Sequence, residues 1–386
     1  MESAQSFFDR AHYKICRNAD RRYRGPGEEA LNTVSVCLIA KDEAETIARV
    51  LRSAAPFADE LIVVDTGSTD ETAAIAAANG AIVELFAWVD DFSAARNFAF
   101  SLAHSNYLMW LDADDVVPEA SAAEISAAKA RNFDGADTLM LPYHLAFSAD
   151  GQPTAATVRE RILRRCSAAK WIGAVHEVIV PFGRIASLDA PIEHRKLKPG
   201  APGRNLRIYE KMLENGQTLS QRERFYYARE LCDNGKFAEA TPIFSALLTE
   251  IPTHSPDRGA LYRGLAACCD HAADPVGALR WLLAAGENGC PSAVTCYAIG
   301  ERFFARGLYR AAADWYKAAL REDCAPETFD SPVLHTLYPC LQLAGCFDRL
   351  GEYERAASWN ERALAFAPDD PSARQNAAYF ARILPR

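Results

Sequence analysis

Between residues 34 and 150, short apolar runs alternate with stretches in which apolar residues recur every three or four positions. The run 34–40 (VSVCLIA) is apolar throughout, which is typical of a strand buried on both faces. Residues 43–54 then carry apolar side chains at helical spacing. The alternation continues with strand patterns at 61–64, 81–86 and 107–111 and helical patterns at 71–79 and 93–103. Such alternation with short connections predicts a mainly parallel sheet covered by helices on both faces.

Further strand patterns follow at 139–145, 158–164, 175–180 and 184–188. The segment 198–203 (KPGAPG) is rich in proline and glycine, which predicts a linker after these strands. The chain is therefore expected to comprise an N-terminal extension (1–30), an α/β domain (31–200), a linker helix (201–224) and an all-α domain (225–386).

From about residue 225 the strand patterns are replaced by four pairs of predicted helices. The pairs align on a small residue in each second helix: Ala240, Ala278, Ala312 and Ala356. Another small residue lies twelve positions before each of these: Ala228, Ala266, Gly300 and Ala344. Turn glycines lie five positions before three of them: Gly235, Gly307 and Gly351. This pattern resembles the tetratricopeptide repeat. A generic helical bundle is the alternative, but the shared offsets favour repeats, and residues 370–383 are expected to form a capping helix.

The composition is that of a globular protein, with 49% hydrophobic and 24% charged residues. A formal net charge of -9 argues against binding nucleic acid through bulk charge. No run of about 18 apolar residues occurs, so no membrane span is predicted, and the first residues lack the pattern of a secretory signal. The 11 cysteines are scattered without a CxxC pair, which favours reduced thiols and a cytoplasmic location.

Two acidic segments follow predicted strands of the sheet. Asp65 ends the second strand and is followed by Gly67, Ser68 and Thr69, which suit a tight turn leading into a helix. The carboxyl end of a parallel strand is where open sheets bind ligands, and a carboxylate there accepts hydrogen bonds from a nucleobase or a ribose. The alternative is that Asp65 only shapes the turn.

The second acidic segment, 110–115 (WLDADD), places Asp112 and Asp114 after another apolar strand. Alternation along an extended chain directs both carboxylates to the same side. Converging carboxylates repel unless a cation is near, and Mg²⁺ takes one or two carboxylates together with phosphate oxygens. Alone, a DxD segment is usually a solvated loop; its place at a strand end, in the same sheet as Asp65, favours a metal site for a diphosphate.

With these motifs in order, the sequence resembles the family 2 glycosyltransferases over about residues 34–195. Four segments carry the resemblance: 34–43 (VSVCLIAKDE), 61–72 (LIVVDTGSTDET), 92–97 (FSAARN) and 110–115 (WLDADD). Together with the repeats, the chain is similar to the bacterial peptide S-glycosyltransferase group. The resemblance implies an inverting enzyme with the Rossmann-like GT-A fold. It also implies a nucleotide-diphospho-sugar donor, commonly a UDP-sugar, and a divalent cation, Mg²⁺ or Mn²⁺.

The resemblance further implies roles for residues at the matching positions. Asp65 would contact the uracil or ribose, with the backbone of Ala40 under the base and Asp42 or Glu43 shaping the pocket. Arg96 would contact the nucleotide; an ion pair at the surface is its alternative role.

The metal site would be built on the DxD segment. Asp112 would hold the ribose or a metal-bound water, and Asp114 would ligate the metal directly. His194, within the sequence IEHR, is a candidate third ligand or diphosphate contact, although a surface histidine is equally expected there.

An inverting transfer needs a general base for the acceptor. The segment 171–177 (WIGAVHE) follows the DxD and resembles an acceptor-side motif of these relatives. Glu177 is the expected base with His176 beside it, and a packed strand histidine is the alternative for His176. Residues 159–211 are locally basic, and Arg161, Arg164 or Arg165 could neutralise the leaving diphosphate; the alternative is that they are solvated residues of a strand.

The sequence therefore predicts transfer of one hexose or N-acetylhexosamine from a UDP-sugar to a peptide, protein or saccharide acceptor. The repeats would bind an extended acceptor or mediate homodimerisation. A non-catalytic scaffold with a retired transferase domain is the second hypothesis, but the intact Asp65, Arg96, Asp112 and Asp114 count against it. A nucleotidyltransferase is the third, and it is disfavoured because the first strand leads into Lys41-Asp42-Glu43 and not into a glycine-rich loop.

Overall fold

The computed structural model describes residues 32–147, 151, 153–198, 201–253, 255, 257–287, 291–321 and 332–384. The expected extension 1–30 lies outside the described residues. The chain divides into two compact units at Leu219/Ser220, here named the sheet unit and the repeat unit. Across the described helices, none is long and apolar enough to cross a bilayer.

The sheet unit has eleven described strands. They are β1 (Val34–Ala40), β2 (Glu60–Asp65), β3 (Ile82–Leu85), β4 (Tyr107–Trp110), β5 (Asp115–Val116), β6 (Thr138–Phe147), β7 (Pro153–Arg164), β8 (Trp171–Ile172), β9 (Val178–Ile179), β10 (Ile185–Ser187) and β11 (Ile192–His194). Five helices accompany them: α1 (Ile47–Ala54), α2 (Thr72–Ala78), α3 (Phe92–Ser101), α4 (Glu119–Ala130) and α5 (Arg204–Glu214). A short 3₁₀ turn, Asn132–Gly135, follows α4.

Nine strands form one sheet in the order β3-β2-β1-β4-β7-β6-β11-β5, with β10 beside β6, while β8 and β9 form a separate hairpin. The pairs among β3, β2, β1 and β4 are parallel, as are β6 with β10 and β11. The pairs β4/β7, β6/β7 and β5/β11 are antiparallel. The expected α/β class with a mainly parallel sheet is confirmed.

Both faces of the central strands are buried, as the continuous apolar runs predict. One face packs against α1, α2 and α4, with Val36, Leu38 and Met109 in its core. The other face, with Cys37 and Trp110, packs against α3 and the β8–β9 hairpin. The carboxyl ends of β1, β2 and β4 consequently lie along one edge of the sheet, and the acidic segments follow them there.

The predicted strand 175–180 is wrong in length, because only Val178–Ile179 pairs. His176 has φ 52°, a left-handed conformation that interrupts an extended chain. The two-residue strands β5 and β8 and the three-residue β11 were not predicted, since so few residues show no period-2 pattern. Residues 199 and 200 of the predicted linker 198–203 lie outside the described residues, and its last residue, Gly203 with φ 66°, directly precedes α5.

The described residues of the repeat unit form four helix pairs and a final helix. They are α6 (Gln221–Asp233) with α7 (Phe237–Glu250), α8 (Arg258–His271) with α9 (Pro275–Ala284), α10 (Ala293–Ala305) with α11 (Tyr309–Ala319), α12 (Leu337–Arg349) with α13 (Tyr353–Phe366), and α14 (Pro371–Ile383). A 3₁₀ turn, Pro332–Leu334, precedes α12. Seven of the eight aligned small residues are alanines and all seven are buried. The all-α repeat class is confirmed.

Candidate active site

The turn after β2 is closed by the side chain of Asp65. Its Oδ1 accepts hydrogen bonds from the backbone N–H of Gly67 at 2.9 Å and of Ser68 at 2.7 Å. Gly67 has φ 99°, which a residue with a side chain rarely adopts. Asp65 is only 6% exposed, so it shapes this turn, and its predicted contact with uracil or ribose stays a prediction.

The loop after β1 is tied to the same turn. The carbonyl of Ala40 accepts a hydrogen bond from the N–H of Thr66 at 2.9 Å, and Asp42 Oδ1 accepts from the N–H of Thr69 at 2.7 Å. Asp42 has φ 55°, and its bond from Thr69 lowers its pKa. The backbone N–H of Glu43 donates to Thr72 Oγ1 at 2.7 Å. These bonds join the loop that carries Ala40, Asp42 and Glu43 to the turn and the helix start that follow Asp65.

The DxD segment folds into a turn in which Asp112 and Asp115 bond to each other. The N–H of Asp112 donates to Asp115 Oδ2 at 3.0 Å, and the N–H of Asp115 donates to the carbonyl of Asp112 at 3.0 Å. Asp115 is fully buried and also accepts from Arg161 Nη1 at 3.0 Å and from the Tyr143 hydroxyl at 2.8 Å. Arg161 is itself buried between the rings of Trp110 and Tyr143, 3.6 Å and 4.0 Å from their centroids.

His194 reaches this turn from β11. Its Nδ1 lies 2.9 Å from the Tyr143 hydroxyl and 3.3 Å from both Asp114 Oδ1 and Asp115 Oδ1. The hydrogen bond with Asp115 raises the pKa of His194, and the neighbouring carboxylates raise it further against the effect of burial. Nδ1 therefore faces the oxygens of this turn, and the predicted role of His194 as a third metal ligand or diphosphate contact stays a prediction.

The residues of this turn are of types that bind divalent cations, but their oxygens are not equally available as ligands. Ligand atoms of Asp112, Asp115 and His194 lie within 4.8 Å of one another. Both oxygens of Asp115 already accept hydrogen bonds, however, so Asp115 is better suited to holding the turn than to binding a metal. Asp114 is partly exposed, and burial together with Asp112, Asp115 and Glu43 raises its pKa to about 6. A cation beside Asp114 would relieve that excess of negative charge.

Arg96, from α3, joins the DxD turn to the acceptor-side segment. Its Nη2 lies 2.7 Å from Asp112 Oδ1, and its Nε lies 2.7 Å from Glu177 Oε1. Arg96 and Glu177 are nearly buried, and the guanidinium lies 4.7 Å from the centroid of the Trp171 ring. Burial opposes the charge of Arg96, but both carboxylates hold its pKa above the usual value. Partial burial opposes the charge of Asp112, but the nearby Arg96 and Arg161 hold its pKa well below the usual value.

The segment 171–177 is fixed in place by the start of α3. Ser93 Oγ donates to the carbonyl of Gly173 at 2.5 Å, and the side-chain amide of Asn97 bonds both the N–H and the carbonyl of Trp171 at 2.9 Å and 3.0 Å. Trp171 is 2% exposed, so it belongs to the core. His176 takes the left-handed conformation directly before Glu177, which turns the chain at the predicted base.

A cleft of about 850 Å³ opens beside these elements. Among the predicted site residues it is lined by Asp42, Glu43 and Asp114, whereas Asp65 is not one of its lining residues. Of the predicted residues, Asp42, Glu43 and Asp114 therefore line the cleft, whereas Arg96, Asp112 and Glu177 are joined by ion pairs and are not among its lining residues.

The expectation that Arg161, Arg164 or Arg165 neutralises a leaving diphosphate is wrong. Arg161 is completely buried, Arg164 Nε lies 2.7 Å from Asp137 Oδ1, and Arg165 Nε donates to the carbonyl of Ser105 at 2.6 Å. All three lie on or just after β7, where they bond core and strand-end groups. Sequence reasoning did not identify Asp115, Tyr143 and Arg161 as residues that bond to one another at the DxD turn. Asp115 is part of the WLDADD segment, but Tyr143 and Arg161 belong to no local motif.

Comparison with known proteins agrees with this geometry. Residues 35–138 match the family model described as Glycosyl transferase family 2. The SPbeta prophage-derived glycosyltransferase SunS of Bacillus subtilis is 28% identical over 218 residues, which cover 52% of this chain and 49% of SunS. A TPR repeat-containing protein of Synechococcus elongatus is 50% identical over 86 residues, 22% of this chain and 21% of that protein.

The chain thus spans about half or less of the length of these curated relatives. Among solved structures, the glucosyl-3-phosphoglycerate synthase of Mycobacterium tuberculosis is 17% identical with a TM-score of 0.36, covering 49% of this chain and 82% of the synthase. The sheet order and helix pairs described above carry the fold assignment. The match of residues 35–138 confirms that this segment of the chain resembles the family 2 glycosyltransferases, as the sequence motifs indicate.

Proposed function

We propose that the protein is an inverting, metal-dependent glycosyltransferase that moves one hexose or N-acetylhexosamine from a UDP-sugar to an acceptor. The observation that carries this proposal is the Arg96 guanidinium, which lies 2.7 Å from both Asp112 and Glu177. A residue of the donor-side turn and the proposed base therefore share one cation. Transfer requires such proximity, because the acceptor must attack the sugar carbon as the diphosphate leaves.

Each group then has a role that its surroundings support. Asp114 faces the cleft and would hold Mg²⁺ or Mn²⁺, with Asp112 on the same turn contacting the ribose or a metal-bound water. The bound metal would supply electrophilic stabilisation of the leaving diphosphate. Arg96 forms an ion pair with Asp112, which would lie next to the nucleotide. This ion pair supports a role for Arg96 in donor binding.

Glu177 would take the proton from the acceptor. Arg96 occupies its Oε1, so the second carboxylate oxygen is the one proposed to accept the proton. His176, in its left-handed conformation, would present Glu177 to the acceptor by turning the chain. The new glycosidic bond forms as the bond to the diphosphate breaks, and the proton passes to Glu177.

The repeat unit supports a peptide or protein acceptor, because stacked helix pairs provide an extended concave surface. A saccharide acceptor, with the repeats serving homodimerisation, is the alternative use of the same helices. The proposal assigns donor chemistry to the sheet unit and acceptor selection or assembly to the repeat unit.

A thermal-shift panel of nucleotide sugars, each with and without Mn²⁺, tests the proposal. A bound donor raises the free energy of unfolding by RT ln(1 + [L]/Kd) and thereby raises Tm, and the expected result is stabilisation by UDP-sugars that depends on the metal. UDP release from the stabilising donor is then measured with time. A non-catalytic scaffold would show neither metal-dependent stabilisation nor UDP release, and that result would refute the transferase.

A further inference from the structure

The cleft beside Asp114 has an unusual distribution of charge. Its lining includes six Lys or Arg side chains and four Asp or Glu side chains: Lys41, Lys196, Lys198, Arg204, Arg207 and Lys211 against Asp42, Glu43, Asp90 and Asp114. The whole chain shows the opposite excess, with 42 basic and 51 acidic residues. The cleft is therefore a cationic region in an acidic protein, which attracts anions.

Half of these cations come from one face of α5. Arg204, Arg207 and Lys211 are three and four residues apart, a spacing that places them one above another on a helix. All three are exposed and line the cleft, whereas Leu206 and Tyr209 are buried on the other side of the helix. Like charges at this spacing destabilise a helix slightly, so folding alone does not favour them.

Two contacts hold this face against the cleft. The guanidinium of Arg204 lies 4.7 Å from the centroid of the Phe92 ring. Lys211 pairs with Asp90, which also accepts a hydrogen bond from Trp88 Nε1 at 2.9 Å. Arg204 and Lys211, the two ends of this row, are therefore fixed. Arg207 lies between them and donates a hydrogen bond to the carbonyl of Pro202 at 3.1 Å.

The carboxylates of the cleft belong to the sheet edge, and the cations to the segment after β11. Asp42, Glu43 and Asp114 follow β1 and β4, whereas Lys196, Lys198 and the α5 face approach from the other side. A nucleoside diphosphate carries more negative charge than one divalent ion neutralises. A diphosphate bound both by a metal ion on Asp114 and by the row of cations would meet positive charge on both sides of the cleft.

We propose that Arg204, Arg207 and Lys211 form the subsite that binds the donor's diphosphate and stabilises it as the leaving group. This inference rests on the proposed function and names the cations that act in it. They replace Arg161, which is completely buried, and Arg164 and Arg165, which lie beside Tyr107 and Asn106 at the start of β4, the opposite end of that strand from Asp114. Arg207 and Lys211 bind phosphate oxygens directly, and Arg204 closes the row next to Phe92.

Calorimetric titration of the full chain with UDP, UMP and uridine, each with Mn²⁺, tests the subsite. The double variant Arg207→Ala/Lys211→Ala is expected to weaken UDP binding by about tenfold or more, since charge-assisted hydrogen bonds to phosphate are lost. Uridine binding should be unchanged, and UMP should fall in between. Arg207→Lys keeps the charge and should retain most of the affinity, whereas the single variants Arg207→Ala and Lys211→Ala should each lose part of it and keep the test decisive if the double variant misfolds.

Arg131→Ala is the matched control, because Arg131 is a half-exposed arginine of the sheet unit that pairs with Glu124 away from the cleft. It should bind UDP like the wild type. Equal UDP affinity in the double variant and the wild type, while Asp114→Ala loses binding, would overturn the subsite and leave the transferase proposal intact. An equal loss for uridine and UDP, or a raised acceptor KM with normal UDP binding, would also overturn it. If the wild type binds no nucleotide with any metal, the proposed function itself fails.

Discussion

The sheet unit and the repeat unit bury different kinds of residue, and the difference separates function from architecture. In the sheet unit, Asp115 and Arg161 are completely buried and are bonded to each other and to residues distant in sequence. In the repeat unit, the positions that recur are small: Ala240, Ala278, Ala312 and Ala356 are each 0% exposed. A buried charge is costly unless it is paired, whereas a buried alanine is not. The recurring small positions of the repeats need only close packing, whereas the sheet edge keeps a charged pair, Asp115 and Arg161, in its interior.

The same contrast exists within the sheet unit, between its two acidic strand ends. Asp65 bonds to backbone groups two and three residues away, so its geometry is local. Asp115 bonds to Tyr143 and Arg161, and Asp112 bonds to Arg96. The DxD turn therefore depends on partners from α3, β6, β7 and β11. Long-range charge networks of this kind are expected where chemistry requires perturbed carboxylates.

The largest expected effect comes from removing the cleft-facing carboxylate. Asp114→Ala should abolish metal-dependent UDP release, because a bound metal contributes several kcal/mol to stabilising the departing diphosphate. This corresponds to a loss of about 10³-fold or more in kcat. Initial rates with and without Mn²⁺ measure it. Asp134→Ala, which removes an exposed aspartate elsewhere in the sheet unit, is the control and should leave the rate unchanged. Normal metal-dependent turnover by Asp114→Ala would remove Asp114 from the metal site.

The second effect tests the ion pairs that Arg96 makes. Glu177→Gln keeps an amide oxygen for Arg96 Nε but loses the basic oxygen, so transfer should fall by about 10²–10⁴-fold. The Kd for UDP should be unchanged, because Asp112 and Arg96 still hold the donor-side turn. Single-turnover transfer and UDP titration measure the two quantities separately. If transfer is retained, another group must act as the base; if UDP binding is lost instead, Glu177 belongs to the donor site.

Asp114 and Glu177 were both predicted from the sequence, and many of the strands and helices around them were also predictable. Apolar runs of strand length and helical spacing are local properties, so β1, β2, β4 and α1 to α3 follow from the pattern. The repeats were predictable for the same reason, since each helix pair obeys one local rule. The wrong extent of the 175–180 strand arose because the left-handed backbone of His176 has no consequence in the hydrophobic pattern.

The partners of the DxD turn were not predictable in this way. Tyr143 lies on β6 and Arg161 on β7, and these strands reach Asp115 only through antiparallel pairing whose register depends on the whole sheet. The run 158–164 reads as an ordinary strand with several arginines, and nothing local distinguishes the fully buried Arg161 from the more exposed Arg164. Because burial leaves no local signal in this run, diphosphate binding was expected at Arg161, Arg164 or Arg165. The basic residues of α5 can be seen in the sequence, but the sequence does not show that their side chains line the cleft.

The third prediction concerns the stability of this network. Asp115→Asn leaves the Arg161 charge buried without its counter-ion and should cost about 3–5 kcal/mol. Hydrogen exchange followed by mass spectrometry, on peptides covering β4 and β7, reports the local opening free energy. Glu124→Gln removes a carboxylate from a half-exposed pair with Arg131 and should cost less than about 1 kcal/mol. Equal protection in both variants would mean that the buried pair does not stabilise the turn.

The smallest effect concerns the repeat unit and its rule of small residues. A Cβ placed on Gly300 would lie 2.7 Å from the Tyr316 ring, which is buried against α10, so Gly300→Ala should destabilise this helix pair by about 1–3 kcal/mol. Gly345 is also helical, but its Cβ would meet Phe304 at an ordinary 3.8 Å. Gly345→Ala should therefore stabilise its helix by about 0.5–1 kcal/mol, since alanine is the better helix former. Hydrogen exchange of peptides from α10 to α12 distinguishes the two. If both alanines stabilise, Tyr316 can move away, and close packing at the aligned small position is not what fixes the repeat.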